Sequence, residues 1–399
     1  MEQLRIIVGG YIGLFPTGGL TWHYLQYLTG LKDLGHDVLY LEDTGQYSTY
    51  QKENQDWDDA TESIRYLKNI MEQHGFRERW AYRDIGSGAC YGLSEDKIKE
   101  WMQTADIFIN ISGATSLRND AYTRIPKKVL IDTDPMFTQV QYWQEADPEG
   151  SAREIREQYT WYDYRFTFGE NIGKPDCLVP MLNLEWIPTR QPVCLRYWVH
   201  HVARGGSRIV FSTVMNWSVR SDMVYAGQFW GQKNKEFGKV VHIPSQYPSA
   251  DFKMVLAVPS QFEASWNNLA QWHNDWNIED PRVAIATAEA YQQYIYGSGA
   301  ELTVAKNAYV QSNCGWFSDR SACYLAAGKP VITQETGWSK TIAAGEGLFA
   351  FTDAASALEA VEAVCADPGR HSRAARELAE VYFESSKVLV PLIDKISAR

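Results

Sequence analysis

A chain of 399 residues exceeds one ordinary core, so two domains of roughly 150–200 residues each are expected. Hydrophobic residues make up 45%, charged residues 22% and aromatics 13%, which excludes wholesale disorder and low complexity. Acidic residues outnumber basic ones 49 to 38, a formal charge of −11 that argues against a broad basic surface for nucleic acid and allows a local pocket for one small anion.

Six cysteines (Cys90, Cys177, Cys194, Cys314, Cys323, Cys365) show no C-x-x-C and no regular spacing, as expected of reduced thiols in a cytoplasmic protein rather than of disulfides or a structural zinc. From Ile6 to Leu31 no residue is charged, a length that could span a bilayer. Yet Gly9, Gly10, Gly13, Gly18, Gly19, Gly30 and Pro16 interrupt the stretch, and Ile6-Ile7-Val8 is too short for a signal-peptide core. No integral membrane segment is expected.

Leu4–Val8 is a β-branched apolar run, the pattern of a strand covered on both faces. A glycine-rich loop from Gly9 to Gly19 follows, and then Leu20, Tyr24, Tyr27, Leu28, Leu31 and Leu34 recur at helical spacing, with Gly35 as the stop. Asp37–Leu41 completes a βαβ unit ending in Glu42-Asp43. Ile107–Ile111, Lys128–Ile131 and Arg165–Phe168 are further short strands, whereas Gln46–Lys99 reads as helical and charged. Pro180, Pro188 and Pro192 mark a linker, giving an expected division into residues 1–180, a linker over 181–193, and residues 194–399.

The second half repeats this grammar. Strands are expected at Arg208–Ser212, Val240–Ile243, Lys253–Leu256, Arg282–Ala286, Ala308–Gln311 and Pro330–Thr333, and helices at Ala354–Ala366 and Ser372–Ser386. The fold class is α/β, with two doubly wound Rossmann-like domains facing across a cleft.

The richest segment runs from Glu301 to Trp338. A helix starts at about Ser318, an N-cap type, with Asp319 in its first turn, and Gly328 stops it before Pro330. Such a helix start presents free N–H groups suited to phosphate, and Arg320 adds a bidentate fork. An isolated Ser-Asp-Arg could equally be an ordinary cap beside a surface charge.

This segment resembles the donor-binding region of GT-B glycosyltransferases. Cys314-Gly315-Trp316 looks like their loop, Ser318–Ala327 like their helix, and Gly328-Lys329-Pro330-Val331 like the strand opened by G-x-P. The Gly345–Ala350 stretch with its alanine-rich helix, and the Gly9–Gly19 loop with the Gly35–Val38 turn, resemble the family's two ends. Many retaining members carry two glutamates eight positions apart in this region; Gly315 and Cys323 stand there in this chain, so no stereochemistry is assigned.

The resemblance implies a metal-independent glycosyltransferase, without a further cofactor, that moves a sugar from a nucleoside-diphosphate sugar to a soluble small-molecule acceptor. No nucleic-acid partner is expected. The matching donor-binding positions are Ser318, Asp319, Arg320 and Ser321 for the diphosphate, Gln334, Glu335, Thr336 and Gly337 for the sugar, and Gly18 and Gly19 from across the cleft; Lys306, just before the expected Ala308 strand, either reaches the diphosphate or is a solvated lysine. An inverting enzyme also needs a base at the acceptor hydroxyl, for which His23, Asp134 and Glu170 are the candidates. Asp132-Thr133-Asp134 also has the form of a divalent-cation pair, and no metal is expected there. Trp266, Trp272, His273 and Trp276 form an aromatic patch that either stacks on ligand rings or fills the core. Three other readings share these residues: a nucleotide-sugar epimerase, a non-catalytic scaffold of the same shape, and a dehydrogenase, which Gly9–Gly19 disfavours by lacking G-x-G-x-x-G. The sequence sets no oligomeric state.

Overall fold

The first sheet grows outward from β1 (Arg5–Gly9), whose Ile6, Ile7 and Val8 are wholly buried because helices cover both faces. The other strands are β2 (Asp37–Glu42), β3 (Trp80–Arg83), β4 (Cys90–Gly92), β5 (Ile107–Ile111), β6 (Lys127–Asp132), β7 (Tyr164–Thr167) and β8 (Ile187–Pro188), in the order β4-β3-β2-β1-β5-β6-β7-β8. All neighbours run parallel except β3 and β4. The coordinates form a computed structural model that describes residues 2–48, 59–115, 117, 120–143, 159–200, 208–219, 221–260, 263–267 and 275–398.

The second sheet holds β9 (Val210–Asn216), β12 (Asp251–Ala257), β13 (Asn277–Glu279), β14 (Ala300–Thr303), β15 (Val331–Gln334) and β16 (Leu348–Phe351). Its order is β13-β12-β9-β14-β15-β16, all parallel. Both sheets therefore reverse strand order once, beside β1 and beside β9. Ligands of such sheets bind outside the carboxyl ends of the strands at that reversal. A small hairpin, β10 (Met223–Tyr225) with β11 (Gln228–Trp230), stands apart from both.

Five helices matter to the site: α1 (Gly18–Asp33), α2 (Phe137–Trp143), α3 (Ala288–Tyr296), α4 (Asp319–Ala326) and α5 (Ser385–Ser397). α1 is buried along most of its length because it lies between the two sheets' layers, with α3 and α5 against it. Trp22 donates its indole N–H to the Ala288 carbonyl at 2.8 Å. α5 crosses back to the first half of the chain: Ser385 N–H donates to the Val193 carbonyl at 2.9 Å, and Leu389 packs on Gly30.

Several expected elements differ. Ala308–Gln311 lies in a helix, Asn307–Ser312, and the strand of that region is β14, earlier in the chain. Arg282–Ala286 begins in a helical turn, Pro281–Ala284, because Asp280 caps it and Pro281 fits its first position. Val240–Ile243 joins a 3-10 turn to a short helix. Within Gln46–Lys99 the helix Thr61–Gln73 is followed by β3 and β4. All six cysteines are free. No helix among the described residues is long and apolar enough to cross a membrane.

Glu42, at the end of β2, fixes the glycine-rich loop. It is fully buried and accepts hydrogen bonds from Gly13 N–H at 2.8 Å, Leu14 N–H at 2.5 Å and the Tyr40 hydroxyl at 2.7 Å. Burial pushes its carboxyl from the usual 4.5 up to about 7, against the pull of those three donors. The folded chain thus keeps a proton that the unfolded chain releases, so stability falls as pH rises from about 4.5 through 7, by about 3 kcal/mol in all. Urea unfolding at pH 5 and pH 8 should show this slope in the wild type and a flatter one in Glu42→Gln.

Candidate active site

The site is built where β14, α4 and the loops after β5 and β6 meet. The turn before α4 needs glycine at position 315: its φ is +82°, and a Cβ there would lie 2.6 Å from the Asn171 amide nitrogen of the facing half. Asn171 N–H donates to the Cys314 carbonyl at 2.9 Å, and Trp316 donates its indole N–H to the Thr133 carbonyl at 3.2 Å, so the turn is held from across the cleft.

Ser318 stands at the N-cap of α4, but its hydroxyl makes no capping bond. The Ser318 and Ser321 hydroxyls are both buried and unpaired. Buried hydroxyls without partners are costly, and at a helix start they supply two donors beside its free N–H groups. Asp319 turns to His23 on α1, with 3.8 Å between the carboxylate and Nδ1. His23 is 5% exposed and neither ring nitrogen is hydrogen-bonded. Burial lowers its pKa below the usual 6.5, and the Asp319 charge opposes that shift.

Arg320 departs from expectation. Its fork does not reach into the cleft: Nε meets the Glu301 carboxylate, Nη1 donates to the Val214 carbonyl at 2.7 Å, and Nη2 to the Thr303 hydroxyl at 2.7 Å. The physical reason is Glu301, a wholly buried carboxylate inside β14 that requires a cation. Arg320 therefore anchors the helix to the sheet and adds its charge from behind.

Lys233, which the sequence did not single out, lies near the same helix start. It follows β11 in a turn held to the Asn307 region, where Ala308 N–H donates to the Gly231 carbonyl at 3.0 Å. Its charged neighbours are Arg320, Glu301, Lys306 and Asp319, and burial pushes its ammonium well below the usual range, with Arg320 adding to the effect. Arg320 is paired with Glu301 and Lys306 with Asp134, whereas Lys233 has no carboxylate within ion-pair distance among the described residues. A half-buried ammonium with no carboxylate partner among the described residues suits an anion.

The loop of residues 334–337 lies beside the turn. Thr336 donates its hydroxyl to the Trp316 carbonyl at 2.6 Å, and Gly315 N–H donates to the Thr336 carbonyl at 2.7 Å. Glu335 bends back to accept from Gly337 N–H at 2.5 Å, capping the Trp338–Lys340 turn, and Gly337 has φ +96°. Gly18 and Gly19 face α3: a Cβ on Gly18 would overlap the Thr287 carbonyl, and one on Gly19 would press on the Tyr291 ring. In this structure they allow α1 to approach α3, one side chain removed from Asp319 and Arg320. Cys323 is buried and meets Gln26 of α1, Sγ to Nε2, at 3.4 Å.

The other two candidate bases are occupied. Asp134 is held by Lys306 at 2.8 Å and by the Tyr309 hydroxyl. Glu170 is paired with Arg190 at 2.5 Å; burial raises its carboxyl and Arg190 opposes this. Asp132, the other half of the Asp-x-Asp pair, accepts from Thr138, Gln139 and Thr167 at 2.7–2.9 Å and from Asp134 N–H. Its lone pairs are taken, so the two carboxylates do not act as one cation site.

Beside Asp134 opens a cavity of about 400 Å³ at the carboxyl ends of β1, β5 and β6, lined among others by Tyr11, Ser112, Thr115, Thr133, Phe137 and Tyr162. Ser112 has φ +59° and Met136 φ +71°, and Ser112 and Thr133 share a 2.8 Å hydroxyl contact joining the two loops. Left-handed non-glycine residues of this kind cluster at ligand sites. Trp276 belongs to the core: it is 4% exposed and packs on Phe237 and Phe252. Trp272, His273 and the Trp266 side chain lie outside the described residues.

No protein-family model matches the chain, and no curated protein is similar to it in sequence. Solved structures are similar over its whole length. An alpha-glucosyltransferase in complex with UDP-glucose and DNA containing an abasic site superposes with a TM-score of 0.59 at 13% identity, covering 100% of both chains. A complex of an alpha-glucosyltransferase with UDP and a 13-mer DNA containing an HMU base gives 0.58 at 13%, again with 100% of both chains. Anabaena HepE with UDP and glucose gives 0.56 at 11%, covering 99% of this chain and 100% of that one. This chain has the GT-B fold. The resemblance read from the Gly315–Val331 region and the two chain ends thus extends to the whole GT-B architecture, with two Rossmann-like sheets facing each other. One expectation is corrected. Nucleic acid cannot be set aside on charge, because a GT-B enzyme matching this chain end to end holds DNA.

Proposed function

We propose that the chain is a glycosyltransferase that moves a sugar from a nucleoside-diphosphate sugar to an acceptor hydroxyl, with no metal ion and no further cofactor. The carrying observation is the start of α4: two unpaired buried hydroxyls and free helix N–H groups stand there, and Lys233, without a carboxylate partner among the described residues, is a charged neighbour of Asp319 and Arg320. A diphosphate fits this set, and its charge grows as the glycosidic bond breaks. Fixed donors and Lys233 stabilise that charge without a metal, with Arg320 and Lys306 behind. Residues 1–180 with β8 supply the acceptor side and residues 194–399 the donor side, apart from α5, which returns to the first half. The acceptor hydroxyl enters by the cavity beside Asp134. Of the three candidate bases, His23 alone has no ion-pair partner closer than 3.8 Å and a lowered pKa, so it is neutral at pH 7 and able to take the proton. With His23 as base, transfer inverts the anomeric centre.

Lys233→Ala should weaken nucleoside-diphosphate binding by about 1.5–3 kcal/mol, roughly ten- to a hundredfold in Kd. Activity is tested by offering UDP-, GDP-, TDP- and ADP-hexoses with free glycosides and, separately, with DNA carrying hydroxymethylated bases. Transfer of sugar to either acceptor class supports the reading. Donor binding without transfer or sugar release would make the chain a binding scaffold.

A further inference from the structure

Lys306 belongs to two sites at once. Its Nζ lies 2.8 Å from the Asp134 carboxylate and over the rings of Phe137 and Tyr309, 4.7 and 5.2 Å from their centres. The Tyr309 hydroxyl donates to the same Asp134 oxygen. Asp134 and Phe137 line the acceptor-side cavity. In the other direction Lys306 is a charged neighbour of Lys233, beside the start of α4. Lys306 leaves the carboxyl end of β14, whereas Asp134 follows β6, so this ion pair spans the cleft.

We propose that Lys306 is a positioning residue for which the donor diphosphate and Asp134 compete. This inference rests on the donor reading above. Without donor, the ammonium is held by Asp134. A diphosphate carries more charge than one carboxylate, and a lysine head on a flexible four-carbon stem can swing towards it. The Asp134 oxygen that the ammonium leaves then accepts a hydrogen bond from the acceptor hydroxyl in the cavity, beside the Tyr309 hydroxyl. Donor therefore binds first and prepares the acceptor site. By linkage the acceptor strengthens donor binding by the same factor.

The test is calorimetric titration of the full chain with UDP, GDP, TDP and ADP, in the wild type and three variants. Asp134→Asn keeps the shape and removes the competitor, so binding of the preferred diphosphate should tighten about two- to fivefold, the range of a partly exposed ion pair. Asp134→Ser should tighten it likewise, which guards against a folding defect peculiar to the amide. Tyr309→Phe leaves the Lys306–Asp134 pair intact and should not tighten binding. Unchanged or weaker binding in both Asp134 variants overturns the competition, as does equal tightening in Tyr309→Phe, which would indicate mere loosening of the cleft. If no diphosphate binds the wild type, the donor reading falls and this inference with it. If the wild type binds and the Asp134 variants match it, the inference alone falls.

Discussion

Arg320→Ala is expected to lower the stability of the chain by about 3–5 kcal/mol, the usual cost of removing one partner from a buried ion pair. The Arg320 side chain is 11% exposed and Glu301 is wholly buried, so the variant leaves that carboxylate without its hydrogen-bonded cation. Its second oxygen already lacks a partner. The Val214 carbonyl and the Thr303 hydroxyl lose donors as well, which detaches α4 from the ends of β9 and β14. Combining Arg320→Met with Glu301→Leu should recover most of the loss, since replacing both members of a buried pair is often neutral. Urea unfolding of the three variants measures this. A loss below about 1 kcal/mol for Arg320→Ala would place the pair among solvent-screened bridges and return Arg320 to the cleft.

His23→Gln is expected to lower kcat by about 10²–10⁴-fold, the usual contribution of a positioned base. Diphosphate affinity should hold, because burial lowers the His23 pKa below 6.5 and leaves the ring uncharged at pH 7. The pH profile separates catalysis from packing. Burial lowers the His23 pKa, so kcat/KM in the wild type should rise with pH through an apparent value below 6.5 and then level off. His23→Gln should lose that acid limb. Normal turnover in the variant would remove His23 from the mechanism and favour a retaining reaction, which needs no such base.

The parts of the fold legible in the sequence were those with a strong period. Ile6-Ile7-Val8, Ile107–Ile111 and the α1 pattern emerged within two residues of their ends, because buried parallel strands and long helices impose continuous or 3.6-residue spacing. The four-residue apolar run Ala308–Gln311 carries no period of its own, and tertiary packing made it a helix. Displacing that strand hid β14 and with it Glu301, the carboxylate whose burial redirects Arg320. Ser318 and the G-x-P strand were readable because a cap and a helix stop are local. Lys233 was not: it stands in a short polar turn after a hairpin, and only the third dimension brings it to α4. The pairing of Asp134 with Lys306 and of Glu170 with Arg190 was equally invisible, since each joins distant segments.

The most direct test of nucleotide-sugar use is calorimetric titration of the purified chain with UDP, GDP, TDP and ADP, each with and without EDTA, alongside Lys233→Ala. One diphosphate should bind, EDTA should leave its affinity unchanged, and Lys233→Ala should lose most of it. No binding by any of the four, or binding that Lys233→Ala leaves intact, would contradict a diphosphate site at the start of α4.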